Sequence, residues 1–142
     1  MQTKVEKFVK AFMVAPNQIG VVYADTNILN TTTKEIRREY REPYDILRLQ
    51  QECIVHSGAG INKIALDAVF EQTGWYDNTM RTCEDYDLWM RISEKYMMVH
   101  IPEALTLVRV QPQNSTATVS KTTWQTNWQR VHQKRYERQT RS

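Results

Sequence analysis

The amino-acid sequence predicts an α/β fold, and two patterns near its start carry that prediction. Apolar residues recur at steps of three and four through residues 3–14, as expected for an amphipathic helix. Pro16 and Asn17 end this helix, and a continuous apolar run of strand type, IGVVYAD, then closes on Asp25. A helix that leads into a buried strand is typical of sheets covered by helices.

The middle of the chain continues with shorter elements. A polar, loosely alternating stretch at 31–43 predicts an edge strand or a hairpin arm, and residues 44–52 predict a short helix. Residues 53–63 have strand composition interrupted by Gly58 and Gly60, where glycine permits unusual dihedral angles or the close approach of a ligand. Residues 64–74 predict a helix that stops at its terminal glycine.

The last third predicts a helix at 84–96, two strand-like pieces around Pro102, a polar loop, and a final helix at 120–137. Residues 1–120 carry 13 basic and 15 acidic groups, whereas residues 121–142 carry six basic groups and one acidic group. A basic tail of this kind can bind anionic partners, although it is more often a solvated helix face. We do not expect nucleic-acid binding, because the tail lacks a known binding motif and interleaved aromatic residues.

The composition restricts the class of protein. With 142 residues, 41% apolar and 25% charged, the chain has the size and balance of one globular domain. No apolar run is long enough to span a bilayer, and the start MQTKVEKFVK lacks the apolar core of a signal peptide. We therefore expect a soluble, cytoplasmic protein. Cys53 and Cys83 have neither CxxC spacing nor a nearby histidine pattern, which favours ordinary thiols over a zinc site.

An acidic cluster opens the predicted helix at 84–96. Glu84, Asp85 and Asp87 lie together in the stretch TCEDYDLWMRISEKY. Carboxylates in a first helical turn are favoured by the helix dipole and by unpaired backbone N–H groups. The same groups can bind a cation or accept a proton during catalysis. Arg91 can reach a phosphate, or it can pair with Asp87 four residues before it.

Four short motifs in this order resemble the second half of a family 2 glycosyltransferase with the GT-A fold. They are Ser57-Gly58, Gly74-Trp75-Tyr76-Asp77, EDYDLWMR at 84–91, and Ile101-Pro102. The resemblance extends over about residues 4–118. It implies that residues 1–119 form the acceptor-side half of a GT-A domain, a mixed sheet flanked by helices, and that residues 120–142 add a basic helix.

Two features depart from the family pattern. The nucleotide-binding first half of the family, with its metal-binding Asp-x-Asp motif, has no counterpart in this sequence. Gln111 stands where many members have a histidine. The resemblance implies a divalent metal, Mn²⁺ or Mg²⁺, for the full family, and the main ligands of that metal are missing here.

The resemblance implies transfer of a sugar from a nucleotide-sugar donor to an acceptor hydroxyl, with Asp85 as the catalytic base. The implied substrate contacts are Glu84, Asp25, Ser57, Gly58, Trp75 and Arg91. Besides Arg91, two more of them have alternatives, since Asp25 can equally cap a turn and Trp75 can pack instead of stacking on a sugar. We expect the isolated chain to be incomplete as an enzyme.

A second interpretation is a non-catalytic module, derived from the same fold, that binds a partner or assembles with itself. A GT-A sheet runs through both halves of the domain, so one half alone exposes a strand edge and an apolar face. Such surfaces promote self-association. We therefore expect a homo-oligomer, or a partner that supplies the missing half.

Overall fold

A computed structural model describes residues 3–56, 58–77, 79–80, 82–110 and 121–140. These residues form a mixed α/β structure in which helices flank one sheet. The elements, in chain order, are α1 (Lys4–Phe12), β1 (Ile19–Asn30), β2 (Ile36–Glu39), α2 (Ile46–Gln51), β3 (Gly60–Ile61), α3 (Lys63–Thr73), α4 (Glu84–Ser93), β4 (Met97–Val110) and α5 (Lys121–Thr140).

Strand β1 is the centre of the sheet. Along one edge it pairs in parallel with β4 over nearly its whole length. Along its other edge it pairs antiparallel with β3 near its start and with β2 near its end. The predicted edge strand at 31–43 is confirmed as β2, whereas the predicted strand at 53–63 shortens to the two residues of β3.

The two faces of the sheet are covered by different helices. Successive strand residues point to opposite faces, so Val21 and Val22, both fully buried, belong to separate clusters. Val22 packs with Phe8 of α1 on one face. Val21 packs on the other face with the larger cluster, which includes Ile92 of α4 and Val131 of α5.

Polar side chains define where several helices begin. The Thr3 hydroxyl accepts a hydrogen bond from the backbone N–H of Glu6 at the start of α1. Asp45 caps α2 and Asn62 caps α3 in the same way. Helix α3 ends at Gly74, as predicted, with a positive φ of 86° that favours glycine.

Strand β4 corrects the prediction of two pieces around Pro102. The strand is continuous from Met97 to Val110, but its register against β1 shifts between the Ala24–Ile101 pair and the Asp25–Ala104 pair. Pro102 lies in this shift because proline has no N–H for the ladder, so an irregularity there costs little.

Two further sequence predictions change. The helix predicted at 84–96 ends earlier, at Ser93. On α1, Phe8 faces the sheet, but the apolar residues Val5, Val9 and Met13 are 70%, 54% and 67% exposed. The predicted polar loop after β4, with Gln111, lies outside the described residues. No helix in the described part of the chain combines the length and apolarity needed to cross a membrane.

The C-terminal helix α5 docks onto the same core as the rest of the chain. Val131 is fully buried in the larger cluster, and the Asn127 amide donates to the Thr82 hydroxyl at 2.9 Å. Lys134 contacts the Asp87 carboxylate of α4 at 3.0 Å. Residues 127, 131 and 134 form one stripe, so the helix is attached along a single face.

Candidate functional site

The acidic cluster lies at the start of α4, where the backbone is unusual. Cys83 occupies the N-cap with a positive φ of 64° and gives no side-chain cap. The Asp85 carboxylate, which is half-buried, accepts a hydrogen bond from the backbone N–H of Tyr86 at 2.8 Å. One oxygen of Glu84, Oε2, is buried and has no hydrogen-bond partner among the described residues. The two carboxylates thus lie at the helix mouth with unused hydrogen-bonding capacity.

The charge of Asp85 acts on three neighbouring side chains. Burial raises the pKa of Cys53 and of Cys83, and Asp85 raises both further. Burial and the positive charge of Arg41 lower the pKa of His56, while Asp85 opposes that change. These effects link the charge of Asp85 electrostatically to the imidazole of His56 and to the thiols of Cys53 and Cys83. The sequence does not predict the place of Arg41, because it depends on a contact with a residue distant in the sequence.

That distant contact is made by Asp25, in the middle of β1. Its carboxylate is buried and accepts from the Arg38 guanidinium and from the backbone N–H of Arg41, each at 2.8 Å; His100 Nε2 lies 2.8 Å from Oδ1. Burial would raise the pKa of Asp25, but these three groups together lower it. Asp25 therefore holds the segment that follows β2 against β1, and both of its carboxylate oxygens have hydrogen-bond partners within the protein.

Arg91 is enclosed by groups of the protein. Its guanidinium donates to the Thr73 hydroxyl and to the carbonyls of Gly74 and Trp75, and its Nε lies 3.3 Å from Asp87 Oδ2. The side chain is 2% exposed. Of the two alternatives predicted for Arg91, the ion pair with Asp87 is present, and the phosphate contact stays a prediction.

The remaining predicted contacts lie in loops. Trp75 is 68% exposed, and its ring lies against Phe70 with 4.1 Å between centroids. Gly58 is exposed with a positive φ of 91°, and a Cβ added there would lie 2.7 Å from Thr106 Oγ1. Ser57 lies outside the described residues. Its predicted substrate contact, like those of Gly58 and Trp75, stays a prediction.

A cavity of about 680 Å³ lies beside the start of α4. It is an open cleft between the end of α2, the start of α4 and the first half of α5. Its lining comprises Glu52, Cys53, Cys83, Tyr86, Trp124, Gln125, Trp128 and Gln129. Cys83 and Tyr86, which flank Glu84 and Asp85 in the sequence, line the cavity, whereas the lining includes neither Glu84 nor Asp85. The sequence signal for the cavity is the repeat WQTNWQ at 124–129, which the resemblance does not cover.

The acidic cluster does not fit the divalent metal that the resemblance implies. In the part of the chain that the structure describes, no group of three or more His, Cys, Asp or Glu side chains could hold a metal ion. Mn²⁺ and Mg²⁺ require several oxygen ligands in near-octahedral geometry, which Glu84 and Asp85 alone do not supply. No step of a reaction is therefore assigned to a metal held by this chain.

Comparison with known proteins gives no relative from which to transfer a function. No protein-family model matches the chain, and no curated protein matches it.

Proposed function

We propose that the chain is the acceptor-side half of a GT-A glycosyltransferase in which Asp85 accepts the proton of an acceptor hydroxyl. The observation that carries the proposal is the position of Asp85, half-buried at the start of α4, where its sequence neighbours Cys83 and Tyr86 line the cavity of about 680 Å³. Open α/β sheets commonly bind ligands near helix starts and strand ends, and small-molecule sites have volumes of roughly 300–1,000 Å³.

The proposed reaction requires one catalytic group from this half of the enzyme, a carboxylate that accepts a proton. The acceptor hydroxyl attacks the anomeric carbon, the bond to the nucleoside diphosphate breaks, and the hydroxyl proton passes to Asp85. A hydroxyl is a weak nucleophile, so a positioned carboxylate contributes about 10²–10⁴-fold to the rate. The nucleotide-sugar donor belongs to a nucleotide-binding half supplied by another chain or segment. On its own, this chain binds the acceptor and does not complete the transfer.

Glu84 supports this arrangement from the preceding position. Its buried Oε2 has no partner among the described residues, and a buried unpaired polar atom costs about 1–3 kcal/mol. A hydroxyl of the acceptor that reached this atom would remove that cost. Glu84 therefore positions the acceptor, while Asp85 carries out the proton transfer.

The test is sugar transfer from UDP-hexose, measured with this chain and a GT-A nucleotide-binding half supplied separately. We expect Asp85→Asn to lower the rate about 10²–10⁴-fold. Asp67→Asn, an exposed carboxylate on α3, serves as the matched control and should leave the rate unchanged. An Asp85→Asn protein that folds normally and keeps the full rate would show that the base is assigned wrongly.

A second candidate function, a self-assembling module without catalysis, is favoured by the free edge of β4. One edge of this 14-residue strand pairs with β1, and its other edge has no partner strand among the described residues. An unpaired edge of this length is a template for pairing with another chain. Light scattering and transfer assays separate the two candidates, because self-assembly requires neither Asp85 nor a donor.

A further inference from the structure

We infer that the cavity between α2, α4 and α5 binds a neutral saccharide, with the rings of Trp124 and Trp128 as its platform. The inference names the chemical class of the acceptor. It rests on the proposed function only where it identifies the bound sugar as the acceptor whose hydroxyl proton passes to Asp85. The binding itself is argued from the lining of the cavity.

The spacing in α5 separates two kinds of side chain into adjacent stripes. In WQTNWQ the two tryptophans are four residues apart, and so are Gln125 and Gln129. Residues at i and i+4 lie on the same face of a helix, so a ring stripe runs beside an amide stripe. All four side chains line the cavity.

This combination matches the surface of a pyranose. A sugar ring has a C–H face that packs on an indole and a rim of hydroxyls that both donate and accept hydrogen bonds. Each glutamine amide offers two N–H donors and one carbonyl acceptor, which suits that rim. Glu52, which lines the cavity and accepts from Arg48 through Oε2, offers its other carboxylate oxygen as a further acceptor. Cavities that bind small molecules combine apolar walls with a few polar groups in the same manner.

The charges of the lining favour a neutral ligand over an anionic one. Glu52 is paired with Arg48 at 3.0 Å, and no Lys or Arg belongs to the described lining. A phosphate or nucleotide diphosphate would therefore find no cation in that lining to bind it. A neutral ligand needs none.

Trp128 is not needed to attach α5, whereas Trp124 also packs against the larger core cluster. The helix docks through the stripe of Asn127, Val131 and Lys134, which are buried or bonded to other elements. Trp128 remains 42% exposed, and its ring lies over His132 with 4.1 Å between centroids. His132 in turn lies against Tyr86, which also lines the cavity. The ring of Trp128 is thus held in place while a large part of its surface stays free.

The test uses the full chain and methyl β-D-glucopyranoside, methyl β-D-galactopyranoside and N-acetylglucosamine at millimolar concentration. The chain has four tryptophans, so the indole N–H region of a ¹H–¹⁵N NMR spectrum has four signals to assign. We expect at least one sugar to shift the signals of Trp124 and Trp128 and not that of Trp89, which is buried in the core and does not line the cavity. Trp128→Ala should weaken binding about 3- to 10-fold.

Tyr136→Ala is the matched control, since Tyr136 is an aromatic residue of the same helix, is more exposed than Trp128 and does not line the cavity. It should leave sugar affinity unchanged. If no sugar shifts these signals, or if n-octanol shifts them at lower concentration than every sugar, the inference is wrong. If the inference is correct, the Asp85→Asn variant still binds sugar. Intact sugar binding with an unaffected transfer rate would overturn only the role of Asp85.

Discussion

At the scale of single residues, the pair formed by Asp87 and Arg91 has the largest expected effect on stability. The two side chains are 0% and 2% exposed. Asp87→Ala leaves the Arg91 charge buried without its carboxylate, so we expect a loss of about 3–5 kcal/mol in the free energy of unfolding, measured in urea.

Lys63 and Asp67 form a pair of the same i, i+4 spacing that is 86% and 60% exposed. Asp67→Ala should cost less than about 0.5 kcal/mol. Equal effects would show that burial does not distinguish the pairs.

Gly58 and Gly74 provide a second comparison at this scale. Both have a positive φ, 91° and 86°, so alanine strains the backbone at either position by about 1–3 kcal/mol. Only at Gly58 would the new Cβ also collide with Thr106, because nothing lies within 4 Å at Gly74. We therefore expect Gly58→Ala to lower the melting temperature more than Gly74→Ala. The double variant with Thr106→Ala should recover part of the difference. If Gly74→Ala proves the more harmful, the predicted collision is absent.

Single residues also show what the sequence can and cannot predict. The i, i+4 spacing of Asp87 and Arg91 predicts their pairing, because both partners lie on one helix. The carbonyls that enclose Arg91 come from the loop after α3, and no local pattern brings that loop to α4. No local pattern predicts the position of Arg41 either. Its backbone N–H is held by a hydrogen bond to Asp25 of β1, which is distant in the sequence.

At the scale of elements, α5 is held to the loop after α3 by Asp77. Its carboxylate accepts from Thr79, and Lys134 and Arg130 of α5 lie within 3.3 and 3.2 Å of it. Burial alone would raise the pKa of Asp77, but the hydrogen bonds from Thr79 and Lys134 lower it from 3.8 to about 2. Helix α5 is thereby tied to the rest of the chain at a second point, beside its buried stripe.

The lowered pKa sets a pH dependence for this attachment. Because the folded pKa lies below the unfolded one, the stabilisation is complete above pH 3.8 and is lost as the pH falls through about 2. We expect Asp77→Asn to cost about 1–2 kcal/mol near neutral pH. In urea unfolding, the difference in the free energy of unfolding between the variant and the unmodified chain should shrink steadily as the pH falls from 3.8 to about 2. A difference that stays constant there would mean that Asp77 does not titrate as the attachment requires.

Elements were predictable where the pattern was local. Periodicity and caps predicted α1, α2, α3 and α4 to within a few residues. The strand predicted at 53–63 failed because its apolar residues, Ile54 and Val55, are buried without pairing to the sheet. The exposure of the apolar stripe of α1 could not be predicted either. Periodicity shows that a helix is amphipathic, but it does not show how much of the apolar face is covered by the rest of the protein.

At the scale of the whole molecule, the sheet is asymmetric. Strand β1 is paired along both edges, whereas the outer edge of β4 has no partner strand in the described chain. Leu107 on this strand is 52% exposed, and Met97 at its start is 55% exposed. An exposed edge with apolar side chains promotes pairing with a second copy, and a closed dimer would cover both edges at once.

This asymmetry predicts that the chain forms a dimer or a larger oligomer at micromolar concentration, as measured by light scattering after size exclusion. Leu107→Lys should convert it to a folded monomer, because a charge on an edge strand opposes strand-to-strand pairing. Ile64→Lys, at a helix position that is 72% exposed and outside β4, should leave the oligomer intact. An unmodified chain that is already monomeric would exclude self-assembly through β4. The edge would then remain available to a nucleotide-binding half, the partner that the proposed transfer requires.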